Sequence, residues 1–411
     1  MSDGAAPTLG RPAPRLDPDL ERRLTFRWSD LPPVTHDLPG TGGTLRAQPD
    51  DFSVVELPLY EPSGDGSHAY ARVEKVGRTT RDLIVLLREA GVPEPNVGVA
   101  GLKDKVARTV QWLSVPRRFE AEAWAALEAA EGVRVLETSR HRNKLGVGHL
   151  RGNRFVVRLR GVEPDALARA TAVLERLARV GSPNYFGPQR FGRFGRNAVD
   201  GWRLLHGEEV PGGHRLKRFF VSALQSLLFN RWLAERVEDG QYTRVLVGDW
   251  ARKHDTGGTF EVTDEGFDDA VARAEALALS ATLPLYGKKV KPSAGEAGRR
   301  EATGLAALDL RWIDLVGRHG DRRITRLAGL ATELDAEAAA DGRGIDLVLR
   351  FDLPKGSYAT SVLREVMKVE VDAPLDGASS GDLATSISDD GASSGDLATS
   401  TSDAGGGVPS A

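Results

Sequence analysis

Hydrophobic and polar residues alternate over several short segments of the chain and recur at helical spacing over others. The alternating segments predict β-strands, and the segments with helical spacing predict α-helices. For example, Thr79 or Thr80 can cap a helix whose apolar stripe ends at Gly91. The predicted strands are residues 50–57, 68–76, 96–102, 109–115, 154–162 and 346–354, and the predicted helices are residues 79–91, 121–132 and 165–181.

The order of these elements predicts an α+β fold on a mostly antiparallel sheet, because the strands come in hairpin-like pairs without regular crossover helices. After Gly181 the pattern changes: Gly, Arg and aromatic residues concentrate, and helices are predicted to dominate. The strand at 346–354 and the helix after it return to the earlier pattern. We therefore predict a second domain inserted into the first. The predicted boundaries are 39–181 and 330–372 for the first domain and 182–329 for the inserted one.

The two ends of the chain differ in composition from its middle. Residues 1–38 are rich in proline, which predicts a flexible N-terminal tail. The segment 376–389 is repeated at 390–403 with one difference, and neither copy contains an aromatic residue. A segment with so little to bury predicts a disordered acidic tail over residues 373–411.

The composition excludes several kinds of chemistry. The chain has no cysteine, which excludes disulfides, thiolate metal sites and cysteine nucleophiles. Its eight histidines form no H-x-x-x-H or H-E-x-x-H pair, and no G-x-S-x-G elbow is present. No apolar run reaches the roughly 18 residues that a membrane-spanning helix needs. We therefore expect a cytoplasmic protein without a metal, a small-molecule cofactor or a membrane partner.

Charge is distributed unevenly, although the net charge is only -3. Seven aspartates lie beyond position 371, and the rest of the chain has more basic than acidic residues. The stretch Thr138–Arg160 contains seven Lys or Arg residues and no acid. A solvated surface explains any single basic cluster, but several together predict binding to a polyanion. The other clusters are Arg190/Arg193/Arg196, Arg215/Lys217/Arg218, Lys288/Lys289/Lys291 and Arg322/Arg323/Arg326.

Asp104 is a candidate nucleophile. It lies in a short turn between two predicted strands, flanked by Lys103 and Lys105. Neighbouring cations favour the ionised carboxylate, and an ionised carboxylate held at a strand end suits covalent catalysis at carbon. An ordinary turn aspartate is the alternative, which the spacing alone favours.

Two aromatic motifs suggest contact with bases. In RGNRF, Asn153 and Phe155 lie on the same face of a predicted strand, where an amide can recognise a uracil edge and a ring can stack on an extruded base. Phe155 also fits a simple core position. The segment 184–197 (NYFGPQRFGRFGRN) interleaves aromatic residues with Arg and Gly, which is typical of a nucleic-acid surface or of a packed aromatic loop. Its G-x-x-G spacings lack the strand and helix of a dinucleotide fingerprint.

Taken in order along the chain, the motifs resemble the TruD family of tRNA pseudouridine synthases. They are DDFSVVEL, TTRDLI, AGLKDKVARTVQW, RHRNKLGVGHLRGNRF, PNYFGPQRFGRFGRN, SALQSLLFNRWLAER and LPKGSYATSVLRE, and they cover roughly residues 40–372. The resemblance implies a synthase-type sheet domain interrupted by a TruD-type α/β domain, which agrees with the change predicted after Gly181. It also implies cofactor-free isomerisation of uridine 13 of tRNA, with no obligate protein partner.

The same resemblance implies roles for individual residues. Asp104 matches the family's nucleophile in the G-x-K-D turn. Arg46 falls where the family usually carries Lys, and would hold Asp104 oriented and ionised with Glu56 as a further partner. Tyr358 falls where the family more often carries Phe, so its ring can still stack. The substrate-binding residues implied by the matching motifs are Phe52, Asn153, Phe155, Tyr358 and Arg46.

Two other functions stay open from the residues alone. A non-catalytic RNA-binding protein of the same fold would keep the basic and aromatic surface without needing Asp104. A hydrolase with paired carboxylates would need a second acid near Asp104, for which Glu56 is the candidate. Formation of pseudouridine in tRNA distinguishes these alternatives. The sequence does not choose between attack of Asp104 on ribose C1′ and attack on uracil C6.

Overall fold

The computed structural model describes residues 16–340, 342 and 344–369 of the 411-residue chain. The α-helices are α1 Pro18–Leu24, α2 Thr80–Glu89, α3 Glu120–Glu128, α4 Ala166–Val180, α5 Asn197–Leu205, α6 His214–Glu238, α7 Phe267–Glu275, α8 Gly295–Ala306, α9 Trp312–Leu315 and α10 Ala359–Met367. The β-strands are β1 Thr44–Leu45, β2 Phe52–Pro58, β3 His68–Val76, β4 Gly98–Val99, β5 Arg108–Pro116, β6 Val133–His141, β7 Leu150–Arg160, β8 Ser182–Pro183, β9 Trp250–Lys253, β10 Thr259–Glu261, β11 Leu279–Leu285, β12 Asp321–Ile324, β13 Arg326–Leu327, β14 Thr332–Ala338 and β15 Ile345–Pro354. Among the described helices, none combines the length and the apolar content that crossing a bilayer requires.

The main sheet has the strand order β14-β15-β7-β2-β5-β3-β6, with the short strands β1 and β4 added beside β7 and β5. The pairing of β2 with β5 is parallel, and the other pairs in this sheet are antiparallel. Strand β15 lies between β7 and β14, so the last strand of the chain completes the sheet that the first strands begin. The mostly antiparallel sheet predicted from the sequence is therefore present.

Helix α2 begins with a capping box that also fixes the loop carrying Asp104. The side chain of Thr79 accepts a hydrogen bond from Asp82 N, and the Asp82 carboxylate accepts one from Thr79 N. Thr80 turns inward instead, where its hydroxyl donates to Gln111 Oε1 at 2.7 Å and accepts from Lys103 N at 2.8 Å. Thr79 is thus the cap, and Thr80 fastens the helix start to the Asp104 turn.

The strand predicted at 96–102 is wrong over most of its length. Only Gly98 and Val99 pair with β5, and the chain then leaves the sheet. A Cβ on Gly98 would lie 2.3 Å from Ser114 Oγ, so glycine permits the close approach of these strands. The carbonyl of Ala100 accepts instead from Gly148 N at 2.8 Å. The irregular loop that follows carries Asp104.

The flexible tail predicted over residues 1–38 is wrong for residues 16–38. Asp17 caps α1 through Leu20 N, and Pro18 starts this helix, a position that suits proline. Several apolar residues of this segment belong to the main hydrophobic core. The prediction of a flexible tail rested on the number of prolines and overlooked these apolar residues. They are Leu20, Leu24, Phe26, Trp28 and Leu31. Residues 1–15 and the predicted tail at 373–411 lie outside the described residues.

Residues 182–329 contain strands as well as the predicted helices. Helices α5 to α9 accompany a second antiparallel sheet with the order β10-β9-β11-β12. Strands β8 and β13 pair with each other, Ser182 opposite Leu327 and Pro183 opposite Arg326. This pairing brings the two ends of the predicted insertion together, while the division into two domains stays a prediction.

Candidate active site

One pocket brings together all the site residues inferred from the sequence. Its walls come from β2, from the loop before β5, from β7 and from the segment that precedes α10. The inferred residues that line it are Arg46, Phe52, Asp104, Asn153, Phe155 and Tyr358. The other lining residues are Val54, Gly101, Leu102, Lys103, Thr109, Leu150, Gln189, Lys355, Gly356, Ser357, Ala359 and Thr360.

Asp104 is held from two sides. Its carboxylate Oδ2 accepts a hydrogen bond of 2.8 Å from Gln189 Nε2. Its main-chain carbonyl accepts one of 2.8 Å from Lys75 Nζ, which reaches up from β3. Gln189 lies in a short 3₁₀ turn, Pro188–Arg190, just after the start of the predicted insertion. The carboxylate is therefore oriented by a residue that is distant in sequence from the sheet strands around it.

Lys103, which precedes Asp104 in the sequence, forms an ion pair with Glu56. Lys103 Nζ lies 3.1 Å from Glu56 Oε2, and their side chains are only 6% and 1% exposed. Glu56 Oε1 accepts a further hydrogen bond of 3.2 Å from Trp112 N. Lys105 is exposed. Among the described residues, no ion pair within 4.0 Å joins Asp104 to either flanking lysine, and Lys103 and Glu56 form a buried ion pair with each other.

Lys75 is a charged residue at this site that sequence reasoning missed. It is fully buried, and its Nζ donates to the carbonyls of Arg78 at 2.5 Å and Asp104 at 2.8 Å. Burial lowers the pKa of Lys75 to about 8; the negative charges of Asp104 and Asp82 oppose this shift and Lys103 adds to it. The sequence did contain an indication that Lys75 is buried. Along β3 it lies on the same side as Ala69, Ala71 and Val73, which all face the core.

The aromatic residues inferred for base stacking also belong to the core. Phe52 and Phe155 meet edge to face with ring centroids 6.0 Å apart, and Phe155 stacks on Phe351 at 5.5 Å. Both are nearly buried, yet both border the pocket. The core interpretation of Phe155 and its place at the pocket are therefore compatible. The Arg46 guanidinium lies 4.3 Å above the Phe52 ring, and Arg46 has a φ of 59°, which is unusual for a residue with a side chain.

Asn153 and Tyr358 complete the walls. The Asn153 Oδ1 atom is buried and accepts no hydrogen bond from the residues that the structure describes. A buried carbonyl oxygen of this kind normally has a donor, so a bound group can supply one. The ring of Tyr358 lies 5.8 Å from that of Phe186, and a Cβ on Gly187 would approach it to 3.1 Å. Glycine at 187 thus makes room for this side chain.

The basic stretch Thr138–Arg160 does not form a free cationic surface along β7. Acidic side chains from neighbouring segments pair with three of the four arginines on β7, and Arg140 and Arg142 of the same stretch also have acidic partners. The three pairs on β7 are Arg154 with Asp352 at 2.8 Å, Arg158 with Glu337 at 2.7 Å and Arg160 with Asp51 at 2.7 Å. Arg326 of another predicted cluster is buried and donates to the carbonyls of Ala274 and Leu279. The charges of these β7 arginines are therefore matched by acidic partners, and Arg326 supports the fold from within the core.

Within the described ranges, no group of three or more His, Asp or Glu side chains is arranged to hold a metal ion. The pocket instead offers one oriented carboxylate, a buried amide, aromatic walls and a cation over one ring. This arrangement suits a flat, polar ring placed beside a nucleophile.

Comparison with known proteins identifies close relatives. Residues 31–208 and 210–366 match the family model of tRNA pseudouridine synthase D (TruD). The chain is 50% identical over 348 residues to a tRNA pseudouridine synthase D of Thermus thermophilus, covering 84% of this chain and 95% of the relative. It is 48% identical over 354 residues to one of Anaeromyxobacter dehalogenans, covering 84% of this chain and 99% of the relative.

The fold also has a counterpart among solved structures. A crystal structure from Methanosarcina mazei, described as a TruD tRNA pseudouridine synthase, matches with a TM-score of 0.66 and 24% sequence identity. The match covers 86% of this chain and 98% of the other. At this identity the likeness concerns the fold alone, and it confirms the predicted α+β architecture.

Proposed function

The chain belongs to the TruD family of tRNA pseudouridine synthases, and we propose that it converts uridine 13 of tRNA to pseudouridine with Asp104 as the nucleophile. One observation carries the proposal. The Asp104 carboxylate, oriented by Gln189, borders the same pocket as a buried amide acceptor and two aromatic rings. A uracil ring in this pocket would lie beside the carboxylate.

The reaction needs no group from outside the protein. The C1′–N1 bond of uridine breaks, the base turns, and a new C1′–C5 bond forms. The hydrogen on C5 is lost as a proton and N1 gains one, so atoms and electrons balance without a redox step. Asp104 forms a transient bond to ribose C1′ or to uracil C6, and the carboxylate is restored at the end of either route.

The target base must leave its stack before it can react. Flipping a nucleotide out costs about a few kcal/mol. Stacking against an aromatic side chain returns about 1–3 kcal/mol, which is the role we assign to Phe52, Phe155 and Tyr358. Asn153 Oδ1, buried without a donor among the described residues, would accept from uracil N3–H. Cytosine has no hydrogen at N3, so this contact would favour uracil.

Arg46 is assigned a positioning role. Its guanidinium stacks on Phe52 at the pocket wall. The sequence resemblance implies a Lys at this position in the family. Arg46 places a permanent positive charge at the wall of the pocket that Asp104 borders. Arginine keeps the charge of lysine but offers a planar group that stacks on the aromatic wall.

The test is a map of pseudouridine in tRNA transcripts incubated with the purified protein. We expect a single modified uridine per substrate tRNA, at position 13, and much slower reaction on an isolated stem-loop, because shape and ease of extrusion must select the base. Modification only in the anticodon or T arm would contradict the assigned position and leave the reaction type intact. Tight tRNA binding without any pseudouridine would favour the non-catalytic alternative.

A further inference from the structure

The loop 190–197, between the pocket and α5, holds an aromatic side chain in solvent. Phe194 is 71% exposed, the largest value among the exposed large hydrophobic side chains of the described residues. The Arg193 guanidinium lies 5.4 Å from the centre of its ring. Phe191 in the same loop is buried and stacks on Phe26 at 4.2 Å. One ring anchors the loop and the other projects from it.

The loop is built to keep Phe194 in this position. Gly195 N donates to Gly192 O at 3.0 Å, which places Arg193 and Phe194 at the tip of a tight turn. Asn197 N donates to Phe191 O at 3.0 Å and closes the loop. Phe26 N donates to Gly195 O at 2.9 Å, and a Cβ on Gly195 would lie only 2.4 Å from Phe26 O. Because the backbone of the loop is already fixed, Phe194 can bind a flat partner with little further loss of backbone entropy.

A row of basic side chains leads from the pocket along α6. Arg190, next to the pocket residue Gln189, donates to Ser222 of α6. Arg218 and Arg215 lie four and seven residues before Ser222, so all three share one face of the helix. Arg215 and Arg218 are exposed, and no acidic side chain of the described residues lies within ion-pair distance of either one. These charges are available to an external anion.

Phe194 lies near the substrate pocket. It is five positions after Gln189 in the chain, so their Cα atoms are at most about 18 Å apart. We propose that the side chains of Arg193, Phe194, Arg215 and Arg218, called here the Phe194 surface, bind the RNA strand that flanks the target uridine. The arginines contact phosphates, and Phe194 stacks on an unpaired base. The inference rests on the proposed function, because it assumes an RNA substrate.

The first test measures tRNA affinity at one fixed salt concentration. Phe194→Ala should weaken binding about 5- to 100-fold, the range expected for one lost stacking contact. Phe194→Trp should restore it, whereas Phe194→Leu should resemble Phe194→Ala because leucine has no π-face. Leu167→Ala is the matched control, since Leu167 is an exposed apolar residue of α4. Wild-type affinity for Phe194→Ala would overturn the proposal.

The second test measures how affinity depends on salt. Arg218→Gln and Arg215→Gln should each weaken binding and reduce the slope of log K against log salt by about one. Arg179→Gln, at an exposed position of α4, is the control and should leave the slope unchanged. Slopes equal to that of wild type in both α6 variants would overturn the phosphate contacts.

A third measurement avoids variants altogether. Ultraviolet crosslinking of the wild-type protein to tRNA, followed by mass spectrometry, should recover an RNA-linked peptide that contains Phe194. If other peptides crosslink to the tRNA efficiently and no peptide that contains Phe194 does, the proposal is overturned. Failure of this inference can be told apart from failure of the proposed function. If the proposed function is wrong, no pseudouridine forms, while the affinity and crosslinking results still decide whether Phe194 binds RNA.

Discussion

The turn that carries Asp104 and the strand that carries Glu56 hold two carboxylates in opposite surroundings. Glu56 is buried, and both of its carboxylate oxygens are engaged, one by Lys103 and the other by Trp112 N. Asp104 is half-buried, borders the pocket and receives its hydrogen bond from Gln189. The difference separates an acid that holds the site together from an acid that is presented to a substrate.

The difference also weakens the hydrolase alternative. A paired-carboxylate mechanism needs two acids that both reach the substrate. Glu56 is committed to a buried ion pair, and a buried charge that loses its partner is costly. The comparison therefore predicts that changes at Glu56 act mainly on stability, and that changes around Asp104 act mainly on turnover.

The largest effect on stability is expected for Glu56→Gln. The change leaves the Lys103 ammonium buried without its counter-ion, which should cost about 3–5 kcal/mol of the free energy of unfolding, measured by denaturant titration. The double variant Glu56→Gln with Lys103→Met should recover part of this loss, because no unpaired charge is left. A loss below about 1 kcal/mol in the single variant would show that the pair is not buried as described.

A smaller effect, on turnover, is expected for Gln189→Ala. Loss of a hydrogen bond to a charged group should lower kcat about 10- to 100-fold and leave tRNA affinity close to wild type. Gln189→Glu is the sharper variant, because a second carboxylate opposes ionisation of Asp104 and should move the acidic limb of the pH–rate profile to higher pH. An unchanged profile together with a loss confined to tRNA affinity would assign Gln189 to binding instead.

The smallest effect concerns Lys75 and pH. Its pKa of about 8 when folded lies below the value near 10.4 expected in the unfolded chain, so between these values the unfolded state binds more protons and stability rises with pH. Between pH 7 and pH 9, the free energy of unfolding of wild type should therefore rise by about 1 kcal/mol relative to that of Lys75→Met. Urea unfolding at both pH values measures this difference. A constant difference across this range would show that Lys75 has an ordinary pKa.

Sequence motifs predicted the pocket residues better than the contacts around them. Asn153 and Phe155 could be grouped because they lie on one face of a predicted strand, and the resemblance added Phe52. In the structure, Phe52 lies on β2, which pairs with the β7 strand of the other two. Gln189 was noticed only as part of an aromatic, Arg-rich segment, since it lies 85 residues from Asp104 and only the folded chain brings them together. Lys75 shows what the alternation of residues along a strand cannot predict. Its position on the inward-facing side of β3 indicated burial, but it did not indicate which carbonyls the side chain binds.

Charge was the least predictable property for the same reason. Arg158 pairs with Glu337, 179 residues away, and Arg154 with Asp352, 198 residues away. An acid-free stretch of sequence therefore says little about the charge of the surface it forms. The apolar residues near the N-terminal prolines could likewise be recognised as core only when the surface they pack against was known. Phe26, for example, stacks on Phe191.

The most direct test measures pseudouridine formed per folded molecule in a single turnover at saturating tRNA, for Asp104→Asn and Glu56→Gln side by side. Asp104→Asn should keep the melting temperature and tRNA affinity of wild type and form product at less than about one percent of the wild-type rate, because loss of a covalent step costs at least several kcal/mol. Glu56→Gln should melt earlier, and its folded fraction should remain active. Substantial turnover by Asp104→Asn, or complete loss of turnover confined to folded Glu56→Gln, would contradict the assignment of Asp104 as the nucleophile.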